Sequence, residues 1–170
     1  MENIKREYQK ISVIVPIYNG KNHIKKLLDS LLNLDYPKND FEIIVVDNNS
    51  SDHTMELVKK YPVRLLEEKD IQSSYAARNK GIKHAKYDIL AFIDADCIAS
   101  REWLKEGIKP IAKGEADLVG GKVEFYFSKE KTAAELYDSI TNMQIEINIR
   151  ERNVAKTANL FVKKEVFNKI

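Results

Sequence analysis

Two aspartates separated by one small residue close a short apolar run: Asp94, Ala95 and Asp96 in "LAFIDADCIAS". Side chains at i and i+2 of an extended segment point to the same side. If strand geometry persists that far, the two carboxylates face one point and repel each other. A divalent cation relieves that repulsion. Mg²⁺ or Mn²⁺ takes oxygen ligands, few from protein and the rest from water and phosphate, so this pair suits a metal that also grips a diphosphate. The competing reading makes one or both acids caps of a helix beginning near Ser100.

A second polar strand end lies in "FEIIVVDNNSSD". The Asp47 carboxylate can accept hydrogen bonds from a base or ribose, and Asn48 can both donate to and accept from a base edge. A strand-to-helix turn capped by Ser50, Ser51 or Asp52 accounts for the rest of that cluster. Arg78 stands on a run of small residues, where a guanidinium turned toward the strand ends would neutralise phosphate; an ordinary surface ion pair is the alternative. His23, His53 and His84 have no metal-ligand spacing and read as surface residues. Cys97 reads as a small buried residue, not a nucleophile, and Trp103 as a helix-face anchor. The six glycines match neither G-x-G-x-x-G nor G-x-x-x-x-G-K-[ST].

The elements that must position these groups alternate. "ISVIVPIY" is a buried strand broken at Pro16, then a loop. Ile24, Leu27, Leu28, Leu31 and Leu32 keep helical spacing. Strand 41–47, helix 52–60 and a weaker strand 63–68 follow. A helix over 73–85, capped by Ser73 or Ser74, leads to a fourth strand over 87–94. A helix from Ser100 is ended or bent by Pro110. A fifth strand-like run over 117–127 carries the Gly120-Gly121 pair, which suggests a bulge or kink. A helix over 131–147 and a strand or loop entering a final helix complete the chain. This alternation predicts an α/β fold, Rossmann-like, with a mostly parallel sheet flanked by helices. Ligands in such sheets bind at the carboxyl ends of the strands, where "YNG", "DNNSSD" and "DADC" all fall.

The 170 residues suit one domain spanning 1–170. A formal charge of +2 does not point to nucleic acid. No apolar run approaches the length of a membrane span. A single cysteine and a polar N-terminus predict a reducing, cytoplasmic setting, with attachment to the inner face of the membrane left open for a full-length protein.

Taken in order, "ISVIVPIYNG", "FEIIVVDNNSSDHT", "YAARNKGIKHAKYDILAFIDADC" and "EWL" resemble the family 2 glycosyltransferases of the GT-A fold. "DLVGGKVEF" and "TANLFVKKEVF" extend the resemblance nearly to the end. It implies a nucleotide-diphospho-sugar donor, commonly a UDP-sugar, with Mn²⁺ or Mg²⁺. It also implies a glycan, lipid or protein acceptor in polysaccharide, glycolipid or cell-envelope glycan synthesis. By the same resemblance, Pro16, Ile17, Tyr18 and Asn19 lie against base and ribose, and Asp47 and Asn48 hold the base. Arg78 sits beside the nucleotide, Asp94 and Ala95 approach the ribose, Asp94 and Asp96 serve the metal, and Asn159 faces the acceptor side. Two positions depart from the family pattern. Many members carry two acids where this chain has Asp47-Asn48, and often a glycine pair where it has Thr157-Ala158.

Inverting members use an acidic general base downstream of the segment resembling "TANLFVKKEVF". The chain stops at Ile170, so this reading expects a domain truncated at its C-terminus that binds donor and transfers sugar poorly or not at all. Two other readings remain at this point. One is a nucleotide-sugar-binding module without its catalytic half. The other is an aspartate-nucleophile phosphatase, which also ends a strand in D-x-D but normally on its first strand.

Overall fold

A computed structural model describes residues 8–127, 130–141 and 155–169. Its strands are β1 (Ile11–Ile17), β2 (Phe41–Asp47), β3 (Arg64–Glu67), β4 (Ile89–Ile93), β5 (Leu118–Gly120) and β6 (Asn159–Lys163). They form one sheet in the order β3-β2-β1-β4-β6-β5. β1 pairs in parallel with β2 and β4, and β2 with β3, whereas β6 runs antiparallel to both β4 and β5. The chain leaves β1 toward β2 on one side and returns with β4 on the other. This reversal opens a crevice at the carboxyl ends of β1 and β4.

The helices are α1 (Ile24–Leu32), α2 (Thr54–Val58), α3 (Ser74–His84), α4 (Trp103–Ala112) and α5 (Ala133–Thr141). Ile11, Val13, Val15 and Ile17 of β1 join the core with Leu27, Leu28 and Leu31 of α1 and Leu104, Ile108 and Ile111 of α4. Ile14, Ile44, Val46, Leu90 and Phe92 pack on the opposite face with Ala77 of α3. The sheet is therefore covered on both sides, which is why its central strands are continuously apolar. Small residues let α3 approach closely: a Cβ on Gly81 would sit 2.6 Å from Ile14 Cγ2.

Several elements differ from their sequence expectation. Pro16 does not break β1, which pairs through it with Val46. Ile11 N–H donates to Asp40 and Ile17 C=O accepts from Asn48, so the odd positions of β1 face β2. Pro16 turns its donor-less nitrogen toward β4, where the ladder ends at Ile14–Phe92. Likewise α4 passes through Pro110 and ends in a Schellman arrangement around Gly114, whose φ is 75°. There Glu115 N–H donates to Pro110 O and Gly114 N–H to Ile111 O.

β5 covers only Leu118–Gly120 of the expected 117–127, with one further in-register bond from Gly121 N–H to Asn159 O. α2 is shorter than 52–60, and the final helix is a 3₁₀ segment, Lys164–Asn168. The helix expected over 131–147 is present as α5, and 142–147 lie outside the described residues. No helix among the described residues is long and apolar enough to cross a membrane.

Candidate functional site

The loops leaving β1 and β2 are zipped together. Asn19 N–H donates to Ser50 Oγ (2.8 Å), Gly20 N–H to Thr54 Oγ1 (2.9 Å) and Lys21 N–H to Asp52 Oδ2 (3.2 Å). Asn19 Oδ1 in turn accepts from Ser51 N–H at 2.8 Å. Asn19 and Asn49 both adopt positive φ, 49° and 66°, a conformation asparagine tolerates. Burial pushes the Asp52 carboxyl up, but bonds from the Thr54 hydroxyl and N–H and from Lys21 N–H outweigh it and hold the group below the usual carboxylate range. Of the stretch Pro16–Asn19, Pro16 and Ile17 are buried strand and Asn19 serves the zipper. Tyr18 projects into solvent, 54% exposed.

Asp47 ends β2 almost wholly buried, at 1% exposure. Its Oδ2 accepts from Ser50 N–H at 2.9 Å, whereas Oδ1 is buried without a partner among the described residues. An unsatisfied buried acceptor costs about 1–3 kcal/mol. Asn48 differs from the sequence expectation of a group free to donate. Its amide nitrogen donates to Glu68 O (3.1 Å) and Ile71 O (2.9 Å), so both hydrogens are spent holding the loop after β3. Glu68, which the sequence did not single out, shapes that loop. Its Oε1 accepts from Asp70 and Ile71 N–H, which holds its carboxyl below the usual range, and Lys80 lies 3.4 Å from Oε2.

Arg78 is not a surface residue. Its side chain is 12% exposed, and Nη2 donates to Asp94 Oδ1 at 2.7 Å. Its Nε is buried and has no partner among the described residues. The strand does not extend through the D-x-D: β4 stops at Ile93, and Cys97 N–H closes a turn onto Asp94 O at 3.1 Å. The two acids are therefore presented by a turn, not by strand alternation. Asp94 is half-buried against Arg78, and Ala95 occupies the turn. Asp96 is exposed, with the Cys97 thiol 3.8 Å from its Oδ1. Burial, then the Asp96 and Asp94 carboxylates, push that thiol up to about 12. Cys97 stays protonated near neutrality, as expected of a group that is not a nucleophile.

Among the described residues no group of three or more His, Cys, Asp or Glu gathers around one point. The oxygen donors at the end of β4 are Asp94 and Asp96. Two hard carboxylates, one of them solvent-facing, fit Mg²⁺ or Mn²⁺ with further oxygen ligands from phosphate and water.

Asn159 begins β6 opposite Ile93. Its Oδ1 accepts from the Trp103 indole at 2.9 Å and its Nδ2 donates to Lys122 O at 2.8 Å. Trp103 itself is buried against Phe161. His23 and His53 are exposed, and half-buried His84 meets Lys80 O.

Comparison with known proteins fits this geometry. The family model described as glycosyl transferase family 2 matches residues 12–165. Glycosyltransferase AglE of Haloferax volcanii is 46% identical over 161 residues, which cover 92% of this chain and 53% of AglE. The poly(ribitol-phosphate) β-N-acetylglucosaminyltransferase TarS of Staphylococcus aureus is 36% identical over 115 residues, 65% of this chain and 20% of TarS. The chain thus spans about half the length of the first relative and less of the second.

Among solved structures, the mannosyltransferase PcManGT from Pyrobaculum calidifontis, in complex with GDP-Man and Mn²⁺, superposes with a TM-score of 0.75. It is 23% identical, over 96% of this chain and 47% of that one. S. aureus TarS 1–349 with UDP-GlcNAc gives 0.68 at 22% identity, over 95% and 47%. At such identities the likeness shows the fold, which is GT-A.

Proposed function

The chain belongs to glycosyl transferase family 2, and from that premise we propose that it binds a nucleotide-diphospho-sugar, most simply a UDP-sugar, for transfer to an acceptor in cell-envelope glycan synthesis. The observation that carries this reading is the unpartnered, buried Asp47 Oδ1 at the carboxyl end of β2. A base with a ring N–H would satisfy it. Uracil and guanine both present one, and UDP-GlcNAc and GDP-Man, the ligands of the two neighbours above, carry those bases. Cytosine presents a lone pair at the corresponding atom and would be repelled.

On this reading Tyr18 lies against the base, with Pro16, Ile17 and Asn19 shaping the floor beneath it. The Asn48 amide holds the wall formed by the loop after β3. Asp94 and Ala95 approach the ribose, with Arg78 beside the nucleotide. Asp94 and Asp96 would hold Mn²⁺ or Mg²⁺, which when bound neutralises the diphosphate. In the transfer, the bond from the sugar's anomeric carbon to the diphosphate breaks, one to an acceptor hydroxyl oxygen forms, and that hydroxyl's proton passes to a base. The pair leaves on the diphosphate, where charge must be stabilised.

Calorimetry with UDP, with and without Mn²⁺, tests the proposal. We expect metal-enhanced binding of UDP over CDP, and loss of the metal effect in Asp96→Ala or with excess chelator. Asp96 is exposed, so that variant keeps its fold. Absence of binding to any nucleoside diphosphate would sink the donor-site assignment.

A further inference from the structure

We propose that Asn159 is a positioning residue that staples together both ends of the loop carrying Asp94 and Asp96. The proposal rests on the reading of that loop as the metal-binding turn of a donor site. At the loop's start, Asn159 stands opposite Ile93 in the antiparallel ladder, one residue before Asp94. At its end, the Trp103 indole N–H reaches Asn159 Oδ1 at 2.9 Å as the chain enters α4. One residue of β6 therefore flanks the start of the segment 94–102 with its backbone and bonds the far end with its side chain.

The staple is held from a third direction. Asn159 Nδ2 donates to Lys122 O, and Asn159 O accepts from Gly121 N–H, both at 2.8 Å. A Cβ on Gly121 would land on the Asn159 amide, so only glycine admits this approach. Both side-chain heteroatoms of Asn159 are thus engaged within the fold, which leaves it suited to support rather than to contact an acceptor. Trp103 is fixed in turn by packing on Phe161, ring centroids 5.2 Å apart. Mid-loop, Ala99 N–H donates to Ser30 Oγ and Asp35 N–H to Arg101 O.

The physical effect is on loop entropy. A turn anchored only by the strand before it can shift its carboxylates, whereas one tied at both ends holds them in place before ligand arrives. Supporting partners of ligand residues commonly tune affinity in this way.

Trp103→Phe tests the staple because it keeps the ring on Phe161 and removes only the indole donor. We expect amide hydrogen exchange within 94–102 to quicken roughly three- to tenfold, the worth of one net hydrogen bond, while β1 and β2 exchange as before. The Kd for UDP with Mn²⁺ should rise by a similar factor, and binding of UDP without metal should not move. Asn159→Ala should do the same, and adding Trp103→Phe to it should change nothing more in 94–102.

Unchanged exchange in that loop for Trp103→Phe overturns the proposal, as does acceleration spread equally over β1 and β2. If the wild-type protein binds no UDP, the donor-site reading falls, and the exchange comparison still decides the staple.

Discussion

Arg78 donates through Nη2 to Asp94 Oδ1 at 2.7 Å, tying α3 to the residue that follows β4. The bond joins two sequence clusters that stand sixteen residues apart. With Arg78 only 12% exposed, removing it empties a buried site and leaves Asp94 without its cation beside Asp96.

Arg78→Ala should lower the stability of the ligand-free protein by about 1–3 kcal/mol, measured by urea denaturation. Mn²⁺ should restore part of that loss, because a cation then supplies the missing positive charge. Arg78→Lys should rescue less well than charge alone suggests, since a point ammonium cannot reproduce the planar fork. Equal loss with and without Mn²⁺ would contradict a shared electrostatic site.

Asp47 offers the opposite trade. Its Oδ1 has no partner among the described residues, so the buried group costs stability that a bound donor would restore. In Asp47→Asn the amide oxygen can keep the Ser50 N–H bond, and a neutral amide replaces the buried carboxylate. The melting temperature without ligand should rise, by the equivalent of about 1 kcal/mol. UDP affinity should fall at least about tenfold, because a donor would face the base N–H. A lower melting temperature together with unchanged UDP affinity would argue against the assignment.

Gly107 separates packing from propensity. Exchanging an interior helical glycine for alanine gains about 1 kcal/mol from propensity. Here the added Cβ would overlap the Phe161 ring, which is fully buried and has nowhere to go. Overpacking of that kind costs about 1–3 kcal/mol or more. Gly107→Ala should therefore be net destabilising in chemical denaturation, and a gain in stability would show that α4 can retreat from the sheet.

Tyr36 supplies a pH signature. Burial pushes its phenol up to about 12, and its O–H donates to Gln9 O at 2.6 Å, a bond only the protonated phenol makes. Above pH 10 the unfolded chain releases this proton while the folded protein keeps it. The folded state then binds more protons, so stability falls as pH rises. The contribution is complete below about pH 10 and is lost on approaching about pH 12. Absorbance titration near 295 nm should show a phenol ionising with a midpoint near 12, absent in Tyr36→Phe. Urea denaturation across the same range should show a shallower alkaline loss in that variant.

Much of this architecture was legible because burial on both faces imposes a simple pattern. "ISVIVPI", "FEIIVVD" and "ILAFI" are nearly unbroken apolar runs, and each emerges as a central parallel strand. Their polar ends followed from the same logic, since a parallel sheet gathers its carboxyl termini on one edge. Boundaries were less legible. Pro16 reads as a break in any one-dimensional pattern, and only the side it presents to β4 explains why the strand continues through it.

The amino-acid sequence by itself determined which residue types meet at the crevice, Asp47, Arg78, Asp94 and Asp96 among them, because strand order and polar punctuation are local properties. The tertiary structure alone decided how each is employed. Asn48 spends its amide hydrogens on Glu68 and Ile71, Arg78 pairs with Asp94 rather than with solvent, and Trp103 reaches Asn159 fifty-six residues away. Hydrogen bonds are short and directional, so partners distant in the chain are chosen by how the layers pack, and no spacing within one segment encodes that choice.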